Sequence, residues 1–227
     1  MQYTERQKRI MDLLRKRSMS VCDIASALSV SEMTVRRDIS YLKEMGTVTQ
    51  FRGGVAIKNF SAFRYFETRV EEAKDEKILL ARKAVQYVKD GMLIFIDNSS
   101  TCYYIAPLLE NFHNLMVVTN SSKVLSVLGE LGIKVKMTSG NYNHRDKCVI
   151  GSETEEYIRN YRYDIAFLSA SGYDKEIITS MSDALTNVRR AVIQSAARSY
   201  FLMIPSKTNR RSKFVICRTE DVELITL

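Results

Sequence analysis

Two groups of side chains in this 227-residue chain have types and spacing that could do chemistry, and each calls for a different kind. The first is the run Ser31-Glu32-Met33-Thr34-Val35-Arg36-Arg37-Asp38, with Ser40 shortly after it and a glycine turn at Arg52-Gly53-Gly54. At 100° per residue, Val35, Ile39 and Leu42 form one apolar face, Arg37, Met33 and Ser40 fall nearly opposite, and Arg36 and Thr34 lie on the flanks. Arginine, small hydroxyls and a methionine near a helix start suit the major groove of DNA, where a guanidinium makes two hydrogen bonds to a guanine edge or holds a phosphate. Gly53 and Gly54 let a backbone come close, and Arg52 could reach the DNA backbone or minor groove. The competing reading is a solvated charged face with Arg36 paired to Glu32 or Asp38. Asp38 itself reads as structural, holding an arginine in place.

The second group is a set of polar segments at the ends of short apolar runs. Asp97-Asn98-Ser99-Ser100-Thr101 closes the first, Asn120-Ser121-Ser122 the second, Ser171-Gly172-Tyr173-Asp174 the third, and Lys207 follows the fourth. Amides and hydroxyls where a strand turns into a helix form an anion site. The plainer alternative is that Ser100 or Thr101 simply caps that helix. Arg145 and Lys147, on a polar loop, would add phosphate contacts or stand solvated.

The elements that position these groups follow from periodicity. Residues 3–17 carry Ile10, Leu13 and Leu14 on one helical face, 21–30 carry Val21, Ile24, Ala25 and Leu28, and a third helix starts at Ser31 and ends at Gly46. The alternating TVTQF, the glycine turn and VAIK predict a hairpin. Three short helices and a hairpin make a winged helix-turn-helix domain over 1–58. Residues 59–75 read as a junction, with a helix over roughly 71–89. From there 76–227 alternates strand candidates (92–97, 115–119, 135–139, 164–170, 200–205) with helical patterns at 101–111, 121–131, 152–161 and 184–199. One or two more strands close the chain. That alternation predicts an α/β fold, a Rossmann-like domain with a mainly parallel sheet covered on both faces, whose strand C-termini converge on one edge.

Composition narrows the classes. The net charge is +8, and residues 1–58 hold 11 Lys and Arg against 6 Asp and Glu, whereas the remainder holds 23 against 20. The excess at one end fits either a polyanion partner or a merely basic domain. Cys22, Cys102, Cys148 and Cys217 are scattered and the only histidines are His113 and His144, so no metal, cofactor or disulfide framework is expected. No apolar run reaches the roughly 18 residues of a membrane span, and a cytoplasmic protein is expected.

The stretch DIASALSVSEMTVRRDISYLKEMGTVTQFRGGVAI resembles the N-terminal domain of DeoR-type bacterial transcription regulators. The resemblance rests on Val30-Ser31, Thr34-Val35, Arg36-Arg37-Asp38-Ile39 and Gly53-Gly54, with Arg52 standing where the family usually has a wing histidine. It continues through FETRVEEAKDEKILLARKAVQYVKDGMLIFIDNSST, GSETEEYIRNYRYDIAFLSASGYD and VRRAVIQSAARSYFLMIPSK, and so covers essentially the whole chain. It implies a sensor domain that shares its fold with sugar-phosphate isomerases and, in many members, binds a phosphorylated sugar. The effector-binding candidates are then Asp97, Asn98, Ser99, Ser100, Thr101, Asn120, Gly172, Asp174 and Lys207. Three positions depart from the family pattern: Ser99 replaces a common glycine, Leu185 a common acid, and Pro205 stands where an aspartate usually precedes Ser206-Lys207.

The expected function is a sequence-specific regulator, a repressor of a carbohydrate operon controlled by a phosphorylated metabolite, acting as a dimer or tetramer on double-stranded DNA. The alternative keeps the DNA binding and makes the larger domain a ligand-free oligomerisation module. An isomerase-like enzyme is the lesser reading, because spacing locates no acid/base pair, and the chain is expected not to be an enzyme.

Overall fold

The computed structural model describes residues 3–16, 18–51, 54–57 and 66–227, and the chain divides into two compact units, Met1–Phe63 and Arg64–Leu227. In the first unit, α1 (Glu5–Lys16), α2 (Val21–Leu28) and α3 (Glu32–Glu44) precede an antiparallel hairpin of β1 (Val48–Phe51) and β2 (Gly54–Ile57). Ile10 and Leu14 from α1, Ile24 and Ala25 from α2, Val35, Ile39 and Leu42 from α3, and Val48 and Val55 from the hairpin make one core. Local chemistry sets the helix ends. Ser20 and Asp23 cap the start of α2 reciprocally, and Ser29 turns the chain with a left-handed φ of 54°. The Ser31 hydroxyl then accepts the Thr34 amide at 3.2 Å to start α3, and Gly46, at φ 69°, stops it. The backbones of Met19 and Val55 exchange two hydrogen bonds, so the polar break between α1 and α2 adds a short third strand to the hairpin.

The second unit opens with α4 (Phe66–Glu71) and α5 (Lys74–Val85), so the described part of the sequence junction is mostly helical. A turn with Ala73 at φ 48° breaks it before α5, and the expected 71–89 helix spans only 74–85. Its main sheet is built from β3 (Leu93–Ile96), β4 (Met116–Thr119), β5 (Lys134–Met137), β8 (Ile165–Leu168), β11 (Ser199–Leu202) and β13 (Glu223–Ile225). The order across it is β5-β4-β3-β8-β11-β13, with every pairing parallel. Chain order runs outward one way from β3 and the other way from β8. The reversal between them makes a topological switch point at the strand C-termini, and in such sheets the crevice beside that point is where ligands bind.

Both sheet faces are buried. Ile94 and Ile96 join Leu80, Ala84, Ile105 and Leu128 on one face, while the intervening Phe95 joins Ile158, Val188 and Val192 on the other. The helices involved are α5, α6 (Ser122–Glu130), α7 (Ser152–Arg159), α8 (Asp183–Ser195) and a 3-10 helix at Cys102–Leu109. Pro107 lies inside that last segment, where a missing amide hydrogen disfavours the α-helical ladder.

Two small antiparallel pieces escape the alternation pattern. One is the hairpin of β6 (Asn141–Asn143) with β7 (Cys148–Ile150). The other is a three-stranded sheet in the order β12 (Phe214–Arg218), β10 (Ile177–Ser180), β9 (Gly172–Tyr173). Of the two closing strands, only β13 joins the parallel sheet.

Candidate functional site

In the first unit, α3 buries Val35, Ile39 and Leu42 and leaves Ser31, Met33, Arg36, Arg37 and Ser40 exposed, with Thr34 half-buried. Met33 is 75 % exposed on the same outer face as Arg37, where a methionine can contact thymine methyl groups in the major groove. Arg37 makes no hydrogen bond or ion pair with any described residue, whereas Arg36 pairs with Glu32 one turn away at 3.2 Å, both exposed. A pair of that kind holds loosely and can be exchanged for a phosphate.

Asp38, 4 % exposed, faces inward and takes Arg6 of α1 and the Gln7 amide, the latter at 3.3 Å. It is therefore the clamp that seats α3 on α1, not a groove residue. Gly54 starts β2 where a side chain would be tightly placed. A Cβ there would sit 3.0 Å from the Phe51 ring and 3.2 Å from the Met19 carbonyl. Arg52 and Gly53 lie outside the described residues.

In the second unit, the crevice between β3 and β8 is organised around Asp97. Its Oδ1 accepts the Ser99 amide at 2.8 Å, and its Oδ2 accepts the Ser169 amide at 3.3 Å and Nε of Arg189 at 3.1 Å. Asp97 and Arg189 are 1 % and 6 % exposed, so this is a buried ion pair tying the ends of β3 and β8 to α8. Two lysines come in beside it. Lys77 of α5, 3 % exposed, donates to the Ser100 hydroxyl at 3.1 Å, and Lys207 donates to the Ser169 hydroxyl at 2.9 Å. Burial pulls the Lys207 ammonium down to about 7. Lys77 and Arg189 add to that fall, while Cys102 and Asp97 oppose it.

Against this surplus of cations stand polar atoms with nothing to bond. Both side-chain atoms of Asn98, the Thr101 hydroxyl and Oδ1 of Asn120 are buried without a partner, in residues no more than 1 % exposed. Buried polar groups are almost always satisfied, so a cluster of unsatisfied ones beside positive charge has the chemistry to receive a polar anion.

The structure thus brings Asp97, Asn98, Ser99, Ser100, Thr101, Asn120 and Lys207 to one sheet edge, with unequal duties. Asp97 is saturated by protein donors and positions the loop. The Ser99 hydroxyl accepts the Cys102 amide at 3.0 Å, so Ser99 is the capping residue, rather than Ser100 or Thr101. Ser100 is engaged by Lys77, and only Asn98, Thr101 and Asn120 present vacant polar atoms. Gly172 and Asp174 belong to the small antiparallel sheet. A Cβ on Gly172 would lie 2.3 Å from the Arg210 carbonyl, so glycine is needed there for the chain crossing above it. The Asp174 carboxylate pairs with Arg211 and takes the Glu176 and Ile177 amides at 2.9 and 3.0 Å, contacts that hold it down to about 2 and commit it to its turn.

Of the departures from the family pattern, Leu185 is buried at the start of α8, and Pro205 opens a short 3-10 turn that carries Lys207. Lys147 lies 3.9 Å from Glu67, on α4. Sequence reasoning did not find Lys77, Ser169 or Arg189. The two cations had a visible signal, since Lys77 stands in register with Leu80, Ala81 and Ala84, and Arg189 with Leu185, Val188 and Val192. Among the described residues no group of three His, Cys, Asp or Glu could hold a metal ion, and no helix is long and apolar enough to cross a membrane.

Comparison with known proteins agrees with this division of labour. Residues 6–60 match the DeoR-like helix-turn-helix domain, and residues 72–227 match the DeoR C terminal sensor domain. Among similar proteins, an uncharacterised HTH-type transcriptional regulator of Haemophilus influenzae is 28 % identical over 97 % of this chain and 88 % of its own. The putative aga operon transcriptional repressor of Escherichia coli O157:H7 is 27 % identical over 98 % and 85 %. The glycerol-3-phosphate regulon repressor of Escherichia coli K12 is 27 % identical over 93 % and 85 %. With an exposed arginine helix in one unit, buried cations beside unpartnered polar atoms in the other, and family matches over both, this chain belongs to the DeoR family of DNA-binding transcriptional regulators.

Proposed function

We propose that this regulator represses an operon for the use of a carbohydrate or polyol, acting in the cytoplasm, and that a phosphorylated metabolite held in the β3–β8 crevice controls it. The observation that carries the reading is the set of vacant buried polar atoms on Asn98, Thr101 and Asn120 beside Lys77, Lys207 and Arg189. Hydroxyl-rich ligands need such amides and hydroxyls, and a phosphate needs the cations. The names of two relatives, a glycerol-3-phosphate regulon repressor and a putative aga operon repressor, point the same way. Because one small helix-turn-helix covers a half-site, two or four copies act together on double-stranded DNA, and the ligand acts by preferring one arrangement of the heads. The crevice serves recognition rather than turnover. The Asp97 carboxylate is paired with Arg189 and hydrogen-bonded on both oxygens, so it is committed to holding the loop rather than free to take a substrate proton.

The test is thermal unfolding of the full chain across inorganic phosphate, glycerol 3-phosphate, aldose and ketose phosphates and the matching free sugars. A ligand that binds only the folded state raises Tm with dose, adding about 2.7 kcal/mol of stability at one hundred times Kd. A flat response to the whole panel at millimolar concentration would reject the reading.

The Lys207 ammonium also predicts the pH profile of that binding. A bound phosphate stabilises the charged ammonium and raises its pKa above the free-site value near 7. Affinity is therefore complete below about 7 and falls as the pH climbs through the free-site value toward the bound one. On the acid side it falls as the phosphate itself takes up a proton near pH ~6. Titration calorimetry from pH 5.5 to 9 should place the optimum between these limits, and Lys207→Met should remove the alkaline limb. An alkaline limb that survives in Lys207→Met assigns it to another group.

A further inference from the structure

The helix α4 is the first described element after the DNA-binding unit in the chain, and three ties hold it to the crevice. Lys77, which reaches the Ser100 hydroxyl, also donates to the Arg69 carbonyl. The Tyr104 hydroxyl, in the 3-10 helix that follows Thr101, donates to the Val70 carbonyl at 2.9 Å. The Phe66 ring meets Tyr103 edge-on at 5.7 Å.

On the same short helix, Nη2 of Arg69 pairs with Oδ1 of Asp146 at 2.8 Å, and Asp146 is 5 % exposed in the β6–β7 turn. That turn is itself fastened to the crevice, since the Asn120 amide donates to the Val149 carbonyl at 3.2 Å and Val149 returns its own amide to the Asn120 carbonyl at 2.8 Å. Asp146 engages only part of the guanidinium. Nε of Arg69 is buried and has no partner, like the vacant atoms of Asn98, Thr101 and Asn120. Burial lowers the Arg69 pKa against the pull of Asp146, and Arg189 and Asp97 both lie near enough to act on it.

We propose that Arg69 is an anion-binding residue of the effector crevice, paired with Asp146 until the ligand competes for it, and that its capture of the ligand pins α4, the helix leading from the DNA-binding unit. This rests on the reading of the crevice as a phosphate-ester site. Arginine fits the role because its planar fork can offer Nε to an anion while a carboxylate occupies Nη2, which a lysine cannot do. Effector occupancy is then felt at the segment joining the two units, where a regulator needs it.

The proposal separates from a purely structural ion pair by sign. Arg69→Met and Asp146→Asn each break the pair, and both should lower the Tm of the ligand-free full chain. Toward the phosphate ester that most raises Tm in the panel, Arg69→Met should bind at least tenfold more weakly. Asp146→Asn should bind as tightly as the parent or several-fold more tightly, because the competing carboxylate is gone. Arg69→Lys keeps the charge without the fork and should fall between, which keeps the test open if Arg69→Met folds poorly. In a parallel reading, inorganic phosphate should slow amide exchange over residues 66–71 in the parent and leave it unchanged in Arg69→Met. Equal affinity in parent and Arg69→Met overturns the proposal while the effector reading stands. Equal weakening by Arg69→Met and Asp146→Asn also overturns it and makes the pair structural. A parent that binds nothing in the panel removes the effector reading and this inference together.

Discussion

Asp97→Asn is expected to destabilise the sensor unit by about 3–5 kcal/mol, the cost of leaving one partner of a buried ion pair alone. Asparagine keeps the shape and can still accept the Ser99 amide, so the loss isolates the charge. Arg189, with its side chain 8 % exposed, would keep only the Ser180 hydroxyl at 3.5 Å. Domains are stable by roughly 5–15 kcal/mol, so the effect takes a large share of the whole. It should appear as a lowered midpoint in chemical denaturation followed by circular dichroism, a suitable probe for a chain without tryptophan. Effector binding should fail as well, because the Ser169 amide loses its acceptor and the ends of β3 and β8 are no longer tied through one carboxylate. The double variant Asp97→Asn with Arg189→Met should recover much of the stability, since the orphaned cation is gone, but not the binding. If Asp97→Asn alone is as stable as the parent, the pair does not organise the crevice.

Arg37→Ala is expected to cost about 1–3 kcal/mol of specific DNA affinity per head, the worth of one good bidentate base contact, and about twice that on an operator occupied by two heads. The measurement is a titration of the full chain onto the sequence it selects from a random pool, repeated on unrelated DNA at several salt concentrations. Arg37 faces outward with no described partner, so its removal costs the fold little and the change reports on DNA alone. Loss on the selected sequence with little change on unrelated DNA identifies a base reader. An equal loss on both, with the salt slope shallower by about one, identifies a phosphate contact. Arg36→Ala should act in the second way and more weakly, since Glu32 already shares its charge. Unchanged specific affinity in Arg37→Ala would remove α3 from the groove.

The DNA-binding unit was legible because its information is local. The stripe of Val35, Ile39 and Leu42, the cap at Ser31 and the stop at Gly46 all act within a turn or two of chain, and helical period alone places Arg37 and Met33 on the outer face. The structural role of Asp38 was legible too, although the arginine it holds is Arg6, 32 residues away, rather than the neighbouring Arg36. The parallel sheet was legible from alternation, because strands buried on both faces must be continuously apolar and must be joined by helices. The small antiparallel sheet was not. Gly172-Tyr173 and Ile177–Ser180 are too short and too polar at their ends to signal pairing, and β10 pairs with a strand whose first residue, Phe214, lies far along the chain.

Within the crevice, sequence alone determined which polar segments end at the sheet's edge, since a strand followed by a helix must deliver its loop there. Only the tertiary structure decided how those segments divide the work. Asp97 became a clamp because Arg189 arrives from a helix 92 residues away, Asp174 was committed to Arg211 rather than to the crevice, and Asn98, Thr101 and Asn120 were left with vacant atoms. Sequence spacing fixes the face a residue occupies, but a hydrogen bond is satisfied or left open by whichever distant group the packed fold brings within about 3 Å of it.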